Sequence, residues 1–148
     1  CNRAGKKLLI IGHGPEKDKL LKLSGPNVRI ISGISDEQLC SAYRHCLALL
    51  AVSHEDFGIT PLEAGASGKP VIAYRAGGYL DTIREGLNGM FIEQPTSEQI
   101  EAAIRKFNPE EWDKQAIKNY IARFSEERFI DEIRQAVDEL TASSSSGA

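Results

Sequence analysis

The sequence predicts an α/β domain: a parallel β-sheet with helices on both faces. Three observations lead there. Short apolar runs alternate with longer amphipathic ones along most of the 148 residues. The apolar runs are continuous rather than alternating polar and apolar, as expected for strands buried on both sides. Three loops that follow apolar runs contain glycine, Gly12-His13-Gly14, Glu55–Thr60 and Ala76-Gly77-Gly78, where a strand must turn into a helix.

Taken in order, KLLIIG (Lys7–Gly12) reads as a first strand, ended by the turn Gly12-His13-Gly14-Pro15. Pro15 suits the first helical position, and EKDKLLKLS carries Leu20, Leu21 and Leu23. Gly25-Pro26-Asn27 breaks that helix before the strand VRII (Val28–Ile31). Ser35 and Gln38 form a capping-box signature for a helix to about His45. LALLAV from Leu47 is a third strand, VIAY after Pro70 a fourth and MFIE from Met90 a fifth. Gly77-Gly78 leads into an expected helix YLDTIREG. Helices are then expected over about 97–107, 109–122 and from after Ser125 to about Leu140. Residues 1–140 read as one domain and 141–148 (TASSSSGA) as a disordered, low-complexity tail.

Composition excludes several functions. Apolar residues make up 41% and charged residues 26%, ordinary values for a globular chain. A net charge of −3 argues against a nucleic-acid partner, which would need phosphate neutralisation. The longest apolar run, Cys46–Val52, is too short for a transmembrane segment. The three cysteines are odd in number and lack C-x-x-C spacing, and Cys40 and Cys46 would lie roughly 240° apart on a helix. Reduced, packed thiols in a cytoplasmic setting are expected, with no metal and no cofactor. Cys1 is an unusual start, so the chain is expected to belong to a longer polypeptide.

Ligands of parallel sheets bind beyond the carboxyl ends of the strands. Gly12-His13-Gly14 could bring backbone amides to an anion there, or be a plain tight turn. Lys17 occupies the place of the third glycine of G-x-G-x-x-G, which argues against a dinucleotide site. His13 reads as a solvated loop residue. The richest stretch is HEDFGITPLEAGASGKPVIA, His54–Ala73, in which Glu55 and Glu63 stand eight positions apart. Thr60-Pro61-Leu62-Glu63 is itself a capping box, with Thr60 as cap and Pro61 at the first helical position; on spacing alone that reading of Glu63 is preferred. It leaves Glu55, Asp56 and Gly58 without a role. Carboxylates accept several hydroxyl hydrogen bonds, which suits a sugar, and amides at a helix start suit a phosphate. His54-Glu55-Asp56 is a poor metal set, since adjacent residues rarely converge on one ion.

The string Glu55-Asp56-Phe57-Gly58-Ile59, Glu63-Ala64, Gly68-Lys69-Pro70-Val71-Ile72-Ala73 and Gly77-Gly78 resembles the E-x7-E signature of retaining glycosyltransferases of the GT-B fold, family-4-like. The resemblance runs from about Leu8 to Phe107 and implies a Rossmann-like sheet, the C-terminal half of a GT-B fold. It implies that Glu55 is the catalytic-site carboxylate beside the donor sugar. Phe57, Gly58, Ile59 and Thr60 would offer amides to sugar and diphosphate, with Gly12 and Gly14 at the mouth of the cleft. Glu63 would hold the ribose, and Gly33 and Ile34 would border the base. The implied reaction is metal-independent hexosyl transfer from a nucleotide diphosphate sugar to a glycan or lipid-linked acceptor, as in polysaccharide or lipopolysaccharide biosynthesis. The acceptor would bind a missing N-terminal domain. GDP-mannose is the first expectation for the donor, from FSEERF (Phe124–Phe129), which is similar to mannosyltransferases; UDP-hexoses follow. The parent would be cytoplasmic, with peripheral membrane association as an option, and the present chain alone inactive. A GT-B sugar-nucleotide epimerase and a non-catalytic nucleotide-binding module are the alternatives.

Two positions depart from the family pattern. Gly65 stands where a larger residue, often Met, is common, at a cost of about 1 kcal/mol against alanine in a helix. Asp81 stands where Glu often follows the glycine pair. The family's diphosphate-binding Arg and Lys would lie upstream of the first strand.

Overall fold

A computed structural model describes residues 1–145. The elements alternate as expected: β1 (Leu8–Ile11), α1 (Lys17–Leu23), β2 (Val28–Ile31), α2 (Asp36–His45), β3 (Leu49–Ala51), α3 (Ile59–Ala66), β4 (Val71–Tyr74), α4 (Tyr79–Thr82), β5 (Gly89–Ile92), α5 (Ser97–Lys106), α6 (Lys114–Ile121) and α7 (Glu126–Ser145). Short 3₁₀ turns, Pro109–Glu111 and Ala122–Phe124, flank α6.

All strand pairing is parallel, but the strands form two pieces, β1-β2 and β3-β4-β5, rather than one continuous sheet. In the larger piece, side chains alternate between two cores because the strand period is two. Val71 and Ala73 of β4 pack with Ala51, Ala64, Tyr79 and Ile83, and Tyr43 of α2 joins them. Ile72 and Ile92 face the other way, onto Ala103 and Ile104 of α5. Cys1 and Ala4 pack against that second core, and the Arg3 guanidinium pairs with Glu101 of α5 at 2.6 Å. Helices therefore cover both faces of the three-stranded piece.

Local chemistry explains most boundaries. The Ser35–Gln38 capping box forms in both directions, Gln38 N–H to the Ser35 hydroxyl and Ser35 N–H to the Gln38 amide. Pro15 lies outside α1, whose N-cap is Glu16. The helix expected over YLDTIREG stops at Thr82, where Ile83 turns extended. Fully buried Asn88 accounts for this: its side chain accepts from Arg84 N–H at 2.7 Å and donates to the Thr82 carbonyl at 3.0 Å, replacing helical bonds. The region expected as one helix over 109–122 divides at Asp113, whose carboxylate caps α6 through the Gln115 and Ala116 amides.

Gly65 has a packing reason. A Cβ there would collide with the Ile121 side chain, so the glycine lets α6 lie close against α3. The helix expected to end near Leu140 continues through Ser145, so α7 covers much of the stretch read as a disordered tail; residues 146–148 lie outside the described residues. Phe129, Ile133, Val137 and Leu140 lie exposed along one side of α7.

Candidate functional site

The carboxyl end of β3 runs into the loop 52–58, and the carboxyl end of β4 into 75–78. These two loops meet main chain to main chain. Gly78 N–H donates to the Glu55 carbonyl at 2.8 Å. A Cβ on Gly77 would strike that same carbonyl, and one on Gly78 would strike the Asp56 and Phe57 backbone. Gly58 completes the contact: its φ of 67° is left-handed, and a Cβ there would stand 2.9 Å from the Gly78 carbonyl carbon. Only glycine fits the approach from either side.

Gly58 is also the N-cap of α3, so the sequence expectation at this point is corrected. Thr60 does not cap the helix; it sits inside the first turn, with Pro61 after it and buried. Pro61 remains tolerated because its missing N–H belongs to the turn whose donors have no helical acceptor. Among the described residues no side chain caps this helix start. Glu63 therefore does not reach back to Thr60. Its Oε2 accepts instead from the Tyr43 hydroxyl of α2 at 2.8 Å.

Glu55 is held in a similar way. Its Oε1 accepts from the Ser53 hydroxyl at 3.0 Å, and the Tyr79 hydroxyl lies 3.4 Å from the Ser53 oxygen. Each glutamate thus has one carboxylate oxygen fixed by a hydroxyl, and among the described residues none takes the other oxygen. Glu55, Asp56, Phe57, Gly58, Ile59 and Thr60 line a pocket of about 270 Å³, and Glu63 is not among its lining residues. Phe57 is 80% exposed at its rim.

The β1-β2 piece carries the remaining sequence candidates on its own carboxyl edge. Gly12 extends the ladder, its N–H bonding the Ile31 carbonyl at 3.0 Å, and Gly14 follows in the turn. Neither would meet anything with an added Cβ, so packing does not require glycine at either place. Gly33 turns with φ 68°, and Ile34 beside it is half-buried. Lys17 reaches across this edge to the Ser32 hydroxyl at 3.1 Å.

Sequence reading missed Tyr43, Ser53 and Tyr79, all of which brace the glutamates. Tyr43 carried a signal, lying four residues after Leu39 on the inward face of α2. Burial, then the hydrogen bond and charge of Glu63, push its phenol pKa well above the ordinary tyrosine range. At the end of β4, the Arg75 guanidinium is already committed to Glu85 at 2.6 Å and Glu93 at 2.7 Å, and lies 4.4 Å from the Phe91 ring. No group of metal-binding side chains occurs among the described residues. The cysteines are all free thiols, and burial raises the pKa of Cys46.

A family model described as "Glycosyl transferases group 1" matches residues 3–124. The chain belongs to that family. It is similar to a D-inositol 3-phosphate glycosyltransferase of Geodermatophilus obscurus, 31% identical over 79% of this chain and 27% of the relative. It is also similar to a GDP-mannose-dependent alpha-mannosyltransferase of Corynebacterium glutamicum, 36% identical over 62% of this chain and 22% of that protein. The chain therefore spans about a quarter of the length of these curated relatives. Among solved structures, the apo lipopolysaccharide outer core galactosyltransferase WaaB superposes with a TM-score of 0.76 at 24% identity, over 93% of this chain and 43% of that one. The fold of this glycosyltransferase domain is that of the GT-B transferases. No helix among its described residues is long and apolar enough to cross a membrane.

Proposed function

We propose that this domain is the donor-binding half of a retaining hexosyltransferase, holding a nucleotide diphosphate sugar along the Glu55–Thr60 loop. One observation carries the reading: Glu55 and Glu63 each have one carboxylate oxygen fixed by a hydroxyl and the other without a partner among the described residues. A carboxylate so held is oriented before the ligand arrives and can accept a ligand hydroxyl at little further ordering cost. Glu55, on the strand side of the turn, takes the hydroxyls of the transferred sugar. Glu63, just past the first turn of α3, takes the ribose.

The main-chain amides from Phe57 to Thr60 face the diphosphate at the uncapped start of α3, where the helix field favours an anion. In transfer, the same amides stabilise charge as it develops on the departing diphosphate, and no metal is needed for that role. The committed guanidinium of Arg75 does not serve as the diphosphate cation. We place such a cation, and the acceptor site for a glycan or lipid-linked substrate, on an N-terminal domain outside this chain. Gly12 and Gly14 line the mouth of the cleft, and Gly33 and Ile34 border the base. GDP-mannose is the first candidate donor, because one similar protein is a GDP-mannose-dependent mannosyltransferase; UDP-hexoses are the alternative. The parent works in the cytoplasm without a resident cofactor, with peripheral membrane association as an option.

Calorimetric titration of this chain with GDP, UDP, ADP and GDP-mannose tests the reading. Of the three free nucleotides GDP is expected to bind most tightly, and Glu55→Gln is expected to weaken GDP-mannose while leaving GDP unchanged. Failure of every nucleotide to bind, or an equal effect of Glu55→Gln on both ligands, overturns it.

A further inference from the structure

We infer that Tyr43 is a positioning residue for nucleotide recognition, fixing the Glu63 carboxylate so that its second oxygen is aimed at the ribose. The inference rests on the ribose role proposed for Glu63. Tyr43 belongs to α2 and Glu63 to α3, twenty residues apart, so their 2.8 Å hydrogen bond joins two elements rather than neighbours on one helix. The Tyr43 ring is half-buried and packed against the core of Ala51, Ala64, Val71, Ala73 and Tyr79. The hydroxyl is therefore held by a packed frame, whereas Glu63 is an exposed side chain with several rotatable bonds.

Without the donor, ordering that side chain would fall to the ligand. With it, Oε2 is occupied and Oε1 is left as the acceptor with a set direction. Tyr43 also makes the interaction directional: its hydroxyl can give only one proton, so it cannot satisfy both carboxylate oxygens at once. Tyr43 touches no ligand atom in this scheme; its effect passes through Glu63 alone.

Titrations of wild type, Tyr43→Phe, Glu63→Gln and the double variant with GDP, UDP and their 2′,3′-dideoxy counterparts test this. Tyr43→Phe is expected to weaken the ribose-bearing nucleotide about fivefold, the equivalent of roughly one net hydrogen bond, and to leave the dideoxy form unchanged. It is expected to add nothing once Glu63→Gln is made. An equal loss for both ligand forms, additive losses in the double variant, or unchanged affinity while Glu63→Gln lowers it, overturns the role of Tyr43. Unchanged discrimination between ribose and dideoxy forms in Glu63→Gln overturns the ribose reading itself, as does absence of binding by the wild type. Amide spectra report whether Tyr43→Phe keeps its fold; Tyr43→Leu, which removes the hydroxyl on another frame, replaces it if it does not.

Discussion

The two pieces of the sheet have nearly interchangeable strands and very different surroundings. LLII in β1 and VRII in β2 are as apolar as VIAY in β4. Yet no residue before Ala51 is buried, with Leu9 45% and Leu23 68% exposed, while Val71, Ile72 and Ala73 are at most 2% exposed. The larger piece has a helix layer on each face and a third strand; the smaller has two strands with an unpaired edge on either side. A two-stranded parallel pair buries too little to hold itself firmly. Apolar content thus selects the strand, but burial is decided by what lies on either side of it. The glutamate-bearing loop stands on the well-buried piece, so its geometry has a firm base. The Gly12–Gly14 and Gly33 turns stand on the other.

The sharpest way to break this contrast is a pair of truncations. Ile72→Ala, at a buried position of β4, is expected to cost about 2–5 kcal/mol, and Leu9→Ala of β1 less than about 1 kcal/mol, as measured by urea unfolding. Comparable losses would show that β1 is as well supported as β4. Hydrogen exchange measures the same difference residue by residue. Amides of β1 and β2 are expected to exchange about a hundredfold faster than those of β4, since exchange reports local opening. Equal protection would remove the distinction between the pieces.

A smaller effect is expected at the α3–α6 contact. Gly65→Ala gains helix propensity but drives its Cβ into Ile121, and the overpacking term of about 1–3 kcal/mol should win. A stabilised variant, by thermal unfolding, would mean that α6 shifts freely.

The weakest expected signal is alkaline. Because the folded-state pKa of Tyr43 is raised, its contribution to stability is complete below the unfolded value near 10 and is lost as pH rises above it. Tyr43→Phe should flatten the fall in stability above that pH; an unchanged profile would mean that other groups produce it.

Particular residues show what the sequence could reveal. The alternation of strands and helices was legible because each apolar run is bounded by glycine, proline or a capping side chain within a few positions. The Ser35–Gln38 box was legible for the same reason, both partners lying within one turn. The start of α3 was not. Thr60 and Glu63 have ideal cap spacing, but Gly58 takes the N-cap because it must lie against Gly78, twenty residues on. The early end of α4 depends on Asn88, beyond the helix it terminates. The two glutamates were visible as a pair, whereas Tyr43, which braces Glu63, sits on a different helix and is defined only by packing. Division of the sheet into two pieces was likewise invisible, since strand order is not written in strand composition.

The contact between the Gly77-Gly78 loop and the Glu55–Gly58 loop has a consequence for transplantation. Neither segment owns its shape: the Glu55 carbonyl is placed by Gly78, and Gly78 has room only because Asp56 and Phe57 present bare backbone. Swapping the glutamate loop alone between related domains would set it against a mismatched partner. The transferable unit is a cassette of two discontinuous stretches, 53–58 and 75–79, exchanged together.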